Sequence, residues 1–154
     1  MSDVRWLRDV EEIKTAKARY GDIVDHLPQT GAEGVEALTR LFTEDAVLDF
    51  TSVFGKVLDG HAGIRAQFGF LSTNRAWMWH VFANPIVTID GDTAKAQWLL
   101  YAMSTGADAP NAEPRLSYGR YYDEYVRTPS GWLQNKLLVV NEAREWSLLP
   151  KQPS

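Results

Sequence analysis

The chain has 154 residues, of which 45% are hydrophobic, 12% aromatic and 23% charged, with a formal net charge of −4 and no cysteine. This is the composition of one globular domain, and it excludes a disordered chain, disulfides, thiolate nucleophiles and cysteine-based metal sites. Scattered charge without a basic stripe, and the lack of a signal-peptide core or a bilayer-length apolar stretch, set the expectation of a cytoplasmic protein with no nucleic-acid and no membrane partner.

In residues 3–27, Trp6, Val10, Ile13, Tyr20, Val24 and Leu27 recur at helical spacing. Residues 31–42, GAEGVEALTRLF, read as a second helix carrying Val35, Leu38, Leu41 and Phe42. AVLDF, 46–50, is a short strand. LDGHAGIRAQFGFLS, 58–72, opens on an Asp-Gly turn and continues as a third helix through Ile64, Phe68 and Leu71. From residue 77 the period becomes two: 77–89, 93–105, 115–127 and 132–143 alternate as strands, with DGD and TPSG as tight turns. Three helices followed by a four-strand antiparallel meander predict an α+β fold with the helices on one face of a curved sheet. The one long connector, GADAPNAEPR, is either a flap over a pocket mouth or a plain hairpin tip.

The segment ARYGDIVDH, 18–26, sets several polar groups on the last turns of the first helix. At about 100° per residue, Asp22 falls opposite the apolar stripe and faces water, while Asp25 falls at its flank, in line with the small residues Ala18 and Gly21. Tyr20 lies on the stripe, so its ring is inside and its hydroxyl needs a partner there. His26 is off the stripe and solvated, and His61, in DGHAG at a helix start, is expected to be exposed. His80 stands in the apolar run WMWHVFANP, on one strand face with Met78 and Phe82, with Trp77 and Trp79 on the other. Alone, it reads as a core histidine satisfied by one hydrogen bond. With a carboxylate at the mouth of the same cavity, it reads as a base held in one tautomer. A phosphate loop, a dinucleotide fingerprint, a nucleophile elbow and paired metal-binding histidines are all missing. What remains is acid–base chemistry in an apolar pocket, with no cofactor and no metal.

The order IKTAKARYGDIVD, LFTEDAVLDF, GHAGIRAQF, HVFANPIVTIDGDTAKAQW and YGRYYDEYVRTPSGWLQNK resembles the SnoaL-like branch of the nuclear transport factor 2-like superfamily. The resemblance implies a single domain over 1–154, with a core at about 11–141 and a tail at 142–154. It implies an α+β cone, a curved antiparallel sheet wrapped by three helices around a deep hydrophobic pocket, assembled as a homodimer or homotrimer. The chain is most similar to the family's dehydratase-like lyases, which share an aspartate near the end of the first helix and a histidine on the first long strand. Asp25 and His80 match those positions, and Tyr20 matches a pocket tyrosine. The resemblance implies that His80 takes a proton from carbon, that Asp25 orients and charges it, and that a leaving group departs from the neighbouring carbon. Phe50, Gly119, Tyr121 and the segment Ala102 to Ser104 stand where relatives carry other polar groups, so the substrate's oxygen is held differently here.

Tyr20 is the first candidate for the missing acid; the alternative is a core tyrosine bonded to backbone. Asn84, beside Pro85, either polarises a carbonyl or supports a strand bend. Phe50, Phe54, Phe68, Trp79, Trp98, Met103 and Tyr121 are candidates for the substrate-binding wall, against the alternative of plain core. The expected activity is a cofactor-independent lyase that removes water, formaldehyde or halide from a small aromatic or polycyclic substrate. An isomerase or aldol-type cyclase would use the same base, and a ligand-binding or dimerisation domain would keep Asp25 and His80 as a structural pair. In the tail, Trp146, Leu148 and Leu149 either cap the open end of the cone or reach a partner subunit.

Overall fold

The computed structural model describes residues 3–143, so Trp146, Leu148 and Leu149 lie outside it. The first helix, α1 (Asp3–Thr30), is built from strong helix formers between residues 11 and 19, with a Lys14–Glu11 pair at 2.6 Å on its outer side. Its buried face runs Asp9, Ile13, Lys17, Tyr20, Val24, Leu27. Trp6, expected in that stripe, is 42% exposed, because the packed part of the helix begins one turn later at Asp9. There the Arg127 guanidinium grips both Asp9 oxygens at 2.7 and 2.8 Å, and the Trp132 indole N–H donates to the same carboxylate. Pro28 sits inside the last turn, which closes when the Gly31 N–H donates to the Leu27 carbonyl at 2.9 Å.

The second helix, α2 (Ala32–Thr39), stops short of the predicted end. Phe42 opens a strand instead, β1 (Phe42–Phe50), because that segment finds a long-range partner that local periodicity cannot register. A single helical turn, α3 (Thr51–Phe54), and a short strand, β2 (Lys56–Asp59), follow; at four residues each they carry no periodic signal in the sequence. Then come α4 (Gly60–Asn74) and the meander β3 (Arg75–Asp90), β4 (Thr93–Gly106), β5 (Arg115–Thr128) and β6 (Gly131–Ala143). His61, expected to be exposed, is half-buried: its Nε2 lies 3.0 Å from the Phe42 carbonyl and ties α4 to β1.

The six strands form one sheet in the order β2-β1-β6-β5-β4-β3, antiparallel except where β1 runs parallel to β6. Bulges bend it, one in β3 between Ala83 and Ile86 and one between β5 and β6 at Tyr118 and Gly119. At Gly119 any Cβ would meet the Val140 carbonyl at 2.1 Å, so this position carries no side chain into the interior. The helices pack on the concave face, where Leu27, Leu38, Leu48, Ile64 and Leu137 are fully buried. Each such side chain contributes about 2 kcal/mol. Among the described residues, no helix is long and apolar enough to cross a membrane.

Candidate active site

A cavity of ≈ 190 Å³ opens between the end of α1, the β1–α3 corner, α4 and the inner faces of β3, β4 and β5. Its walls are mostly rings and aliphatic side chains, among them Phe50, Phe54, Phe68, Met78 and Leu100. His80 lines it from β3, and Asp25 stands behind His80 on α1. One Asp25 oxygen lies 2.6 Å from His80 Nδ1, and the other accepts the backbone N–H of His80 at 3.0 Å. Both side chains are 16% exposed. An ionised carboxylate only accepts, so Nδ1 carries the hydrogen and Nε2, across the ring, is left as the basic nitrogen of a side chain that lines the cavity.

Close helix–strand contact makes this pairing possible. Gly21, one turn before Asp25, packs its backbone against the Phe82 ring, and an added Cβ would come within 3.1 Å of Phe82 Cε2. Phe82 in turn stacks with the His80 ring at 6.1 Å and 11°. The helix is seated on β3 by an absent side chain.

Tyr20 forms part of the cavity floor, ringed by Phe42, Phe68, Phe82 and Tyr121 in edge-to-face contacts. Burial, reinforced by the neighbouring Tyr121, Asp123 and Asp25, holds its phenol well above the ordinary tyrosine range, so it remains protonated. Burial also raises Tyr121, though the Tyr20 hydroxyl works against that shift. Below the floor lies a fully buried ion pair, Lys17 Nζ to Asp123 Oδ2 at 2.8 Å. The ammonium also faces the Tyr121, Phe82 and Tyr20 rings at 4.0, 4.5 and 4.7 Å. Burial lowers Lys17 to about 8 against the pull of Asp123, and burial raises Asp123 against Lys17.

Of the residues named from the sequence, Tyr20, His80, Phe50, Phe54, Phe68, Met103 and Tyr121 line the cavity. Three expected wall residues do not. Trp79 projects from the opposite face of β3 and is 49% exposed, as strand alternation around His80 requires. Trp98 is on the inner face of β4 but deeper, beside Asp123 rather than at the cavity. Asn84 sits in the β3 bulge with φ 49, exposed and turned from the cavity, and serves the bend. Asp22 and His26 are exposed as expected, with His26 Nδ1 2.7 Å from the Asp22 carbonyl. The connector after β4 first extends the β3–β4 ladder, the Ala107 N–H donating to the Asn74 carbonyl at 3.3 Å, and then turns back so that the Thr105 hydroxyl donates to the Pro110 carbonyl at 3.4 Å.

Sequence reasoning missed Lys17, Asp123, Arg75 and Arg115. Lys17 held a readable signal, a lysine at a buried position of the stripe Ile13, Tyr20, Val24, Leu27. Asp123 held another, sitting in step with inward Tyr121 and Tyr125. The two arginines line the cavity from the start of β3 and the start of β5, where strand-end positions show no pattern. Among the described residues, no group of three His, Cys, Asp or Glu side chains converges to hold a metal.

A family model described as a SnoaL-like domain matches residues 5–137. No curated protein matches the sequence. Among solved structures, a Novosphingobium aromaticivorans protein provisionally named an aromatic ring hydroxylase is 29% identical, covering 94% of this chain and 92% of that one, with TM-score 0.76. A second protein of that organism, provisionally named a scytalone dehydratase, is 15% identical over 99% and 97% of the two chains, with TM-score 0.80. Hexachlorocyclohexane dehydrochlorinase from Novosphingobium barchaimii is 15% identical over 99% and 100%, with TM-score 0.78. The fold is shared with structures described as nuclear transport factor 2-like with a cystatin-like fold.

Proposed function

We propose that this chain, which belongs to the SnoaL-like family, is a cofactor-independent lyase that removes a proton and a leaving group from a small hydrophobic molecule. The observation that carries the reading is the Asp25–His80 pair at the wall of a cavity enclosed by aromatic and aliphatic side chains. His80 Nε2 takes a proton from carbon. Asp25 meets the resulting imidazolium with a charged hydrogen bond already in place, so no reorganisation is needed as charge develops. The electron pair left on carbon forms a double bond to its neighbour as the leaving group departs. Tyr20, kept protonated by burial, hydrogen-bonds to the departing oxygen, and the proton taken up by His80 passes to that oxygen to complete water. With a hydroxymethyl group, the same base removes the hydroxyl proton, the carbon–carbon bond breaks to release formaldehyde, and the carbon left with the electron pair takes the proton back from His80; with a halide, the anion leaves and no acid is required.

A cavity of about 150 Å³ holds benzene, so ≈ 190 Å³ suits a single ring with short substituents. That favours the small aromatic end of the expected substrate range over polycyclic ones. The names carried by the structural neighbours, dehydratase and dehydrochlorinase, support an elimination, and the ring hydroxylase name supports an aromatic ligand. The test is a panel of single-ring alcohols and halides read by product mass, in wild type and His80→Ala. Loss of water, formaldehyde or halide by wild type alone supports the lyase. A product of unchanged mass assigns an isomerase that uses the same base.

A further inference from the structure

The cavity has one end of different chemistry. Arg75 and Arg115 line it there together with the hydroxyl side chains Ser104 and Ser117, and no aspartate or glutamate joins them in the lining. Arg65, Arg120 and Arg127 each meet a carboxylate in an ion pair. Among the described residues neither Arg75 nor Arg115 does; Arg75 makes one bond, to the Asn74 carbonyl at 3.1 Å. Two guanidinium groups beside this cavity, with no anion between them, leave the negative partner to be supplied by what binds.

Strand register places this end relative to the base. His80 pairs with Ala102 and Ala102 with Ser117, forming one cross-strand row. Met78, Ser104 and Arg115 form the next row on the same face. From ladder spacings, the Arg115 backbone lies about 7 Å along the strands and about 10 Å across them from that of His80. The two residues thus stand at opposite corners of one face of the sheet, about 12 Å apart by backbone. Arg75 closes in from the start of β3, beside the point where the connector is tied to Asn74.

We propose that the arginine end of the cavity binds a carboxylate, so that the substrate is a single-ring carboxylic acid whose reacting carbon is held at His80. The inference rests on the lyase reading for the reacting end only; the acid-binding end stands on its own geometry. A guanidinium pairs with carboxylate oxygens two at a time, and this fixes a planar ring in one orientation as well as adding affinity. The serine hydroxyls supply further donors at the same end.

The experiment is a binding titration of the full chain with benzoate and with its neutral isostere benzamide, by calorimetry at low salt, with amide shift mapping. Benzoate is expected to bind at least tenfold tighter than benzamide and to shift the amides of Ser104 and Ser117. Arg115→Gln and Arg75→Gln are each expected to weaken benzoate at least fivefold and to narrow its advantage over benzamide. Both arginines are solvent-accessible, and circular dichroism and melting of the variants verify that the fold is kept. His80→Ala is expected to retain the benzoate preference, so an inactive protein that still prefers benzoate upholds the acid site whatever becomes of the lyase. Equal affinity for the two probes, absence of benzoate binding, shifts confined to another surface, or a preference that survives the double arginine variant would each overturn the proposal.

Discussion

Replacing Asp25 by asparagine should disable His80 through its tautomer, and the two hydrogen bonds of Asp25 fix the sign. Asparagine has one acceptor oxygen for two donors. If that oxygen keeps the backbone N–H of His80, now at 3.0 Å, the amide NH₂ faces Nδ1, which must become the acceptor. The ring hydrogen then moves to Nε2 and blocks the base. The opposite amide orientation preserves Nδ1–H but leaves a half-buried backbone N–H against another donor, at a cost of about 1–3 kcal/mol. The blocked tautomer is therefore favoured by about 10- to 100-fold. The variant also loses the charge-assisted bond to the imidazolium, about 1.5–3 kcal/mol, so turnover should fall by about 10²–10⁴ in total. Long-range ¹⁵N correlation of the His80 ring reads the tautomer without a substrate: wild type should carry hydrogen on Nδ1, the variant on Nε2. A variant that keeps hydrogen on Nδ1 and loses less than tenfold in turnover refutes the reasoning.

Tyr20→Phe should lower kcat by about 10²–10³ on an oxygen leaving group, as for loss of one preorganised donor, and should spare a halide substrate; equal losses on both would assign Tyr20 to packing alone. Lys17→Met and Asp123→Asn should each cost about 3–5 kcal/mol in urea unfolding, since each strands a buried charge, while the double variant should cost less than either. Lys17 is lowered to about 8 from 10.5, so the native state binds fewer protons between those values and its contribution to stability should rise with pH across that window; Lys17→Met should abolish the rise. Asp9 is lowered to about 2 from 3.8 by Arg127, so its contribution is present above pH 3.8 and lost as pH falls towards 2. After allowance for solvent screening, the stability gap between wild type and Asp9→Asn should close by about 1 kcal/mol over that range; a constant gap would remove the ion pair from the acid-sensitive set. The homodimer or homotrimer implied by the family resemblance would cover the exposed outer-face rings Trp79, Tyr101 and Tyr122, and Tyr101→Glu should then give a monomer by light scattering; an oligomer unaffected by the change would assign the contact elsewhere.

The helix α1 and the meander were legible because their apolar positions repeat with a fixed local period. The β1 pairing was not, since its parallel partner β6 is far along the chain and Phe42 looks equally at home closing a helix. Alternation identifies a strand face without giving depth: Trp98 is on the inner face of β4 but lies beside the Lys17–Asp123 pair, below the cavity. Trp79 shows the reverse, because alternation already set it opposite His80 and an aromatic ring invited a pocket role that the register forbids. Asp25 and His80 were each nameable, but their 2.6 Å approach across 55 positions depends on how a helix seats on a strand. The two cavity arginines carry no sequence signal, for a charged residue at a strand end ordinarily belongs to the solvent.

The Gly21–Phe82 contact ties together two positions that touch no substrate. A methyl at 21 would press on a ring that stacks on the proposed base, and that ring would have to give by a few tenths of an ångström. Lineages of this fold that keep the base should vary the two positions jointly, a larger residue at 21 accompanied by a smaller one at 82. Chains that break this pairing should retain the architecture while the distance between carboxylate and imidazole drifts, separating the persistence of the fold from the persistence of its chemistry.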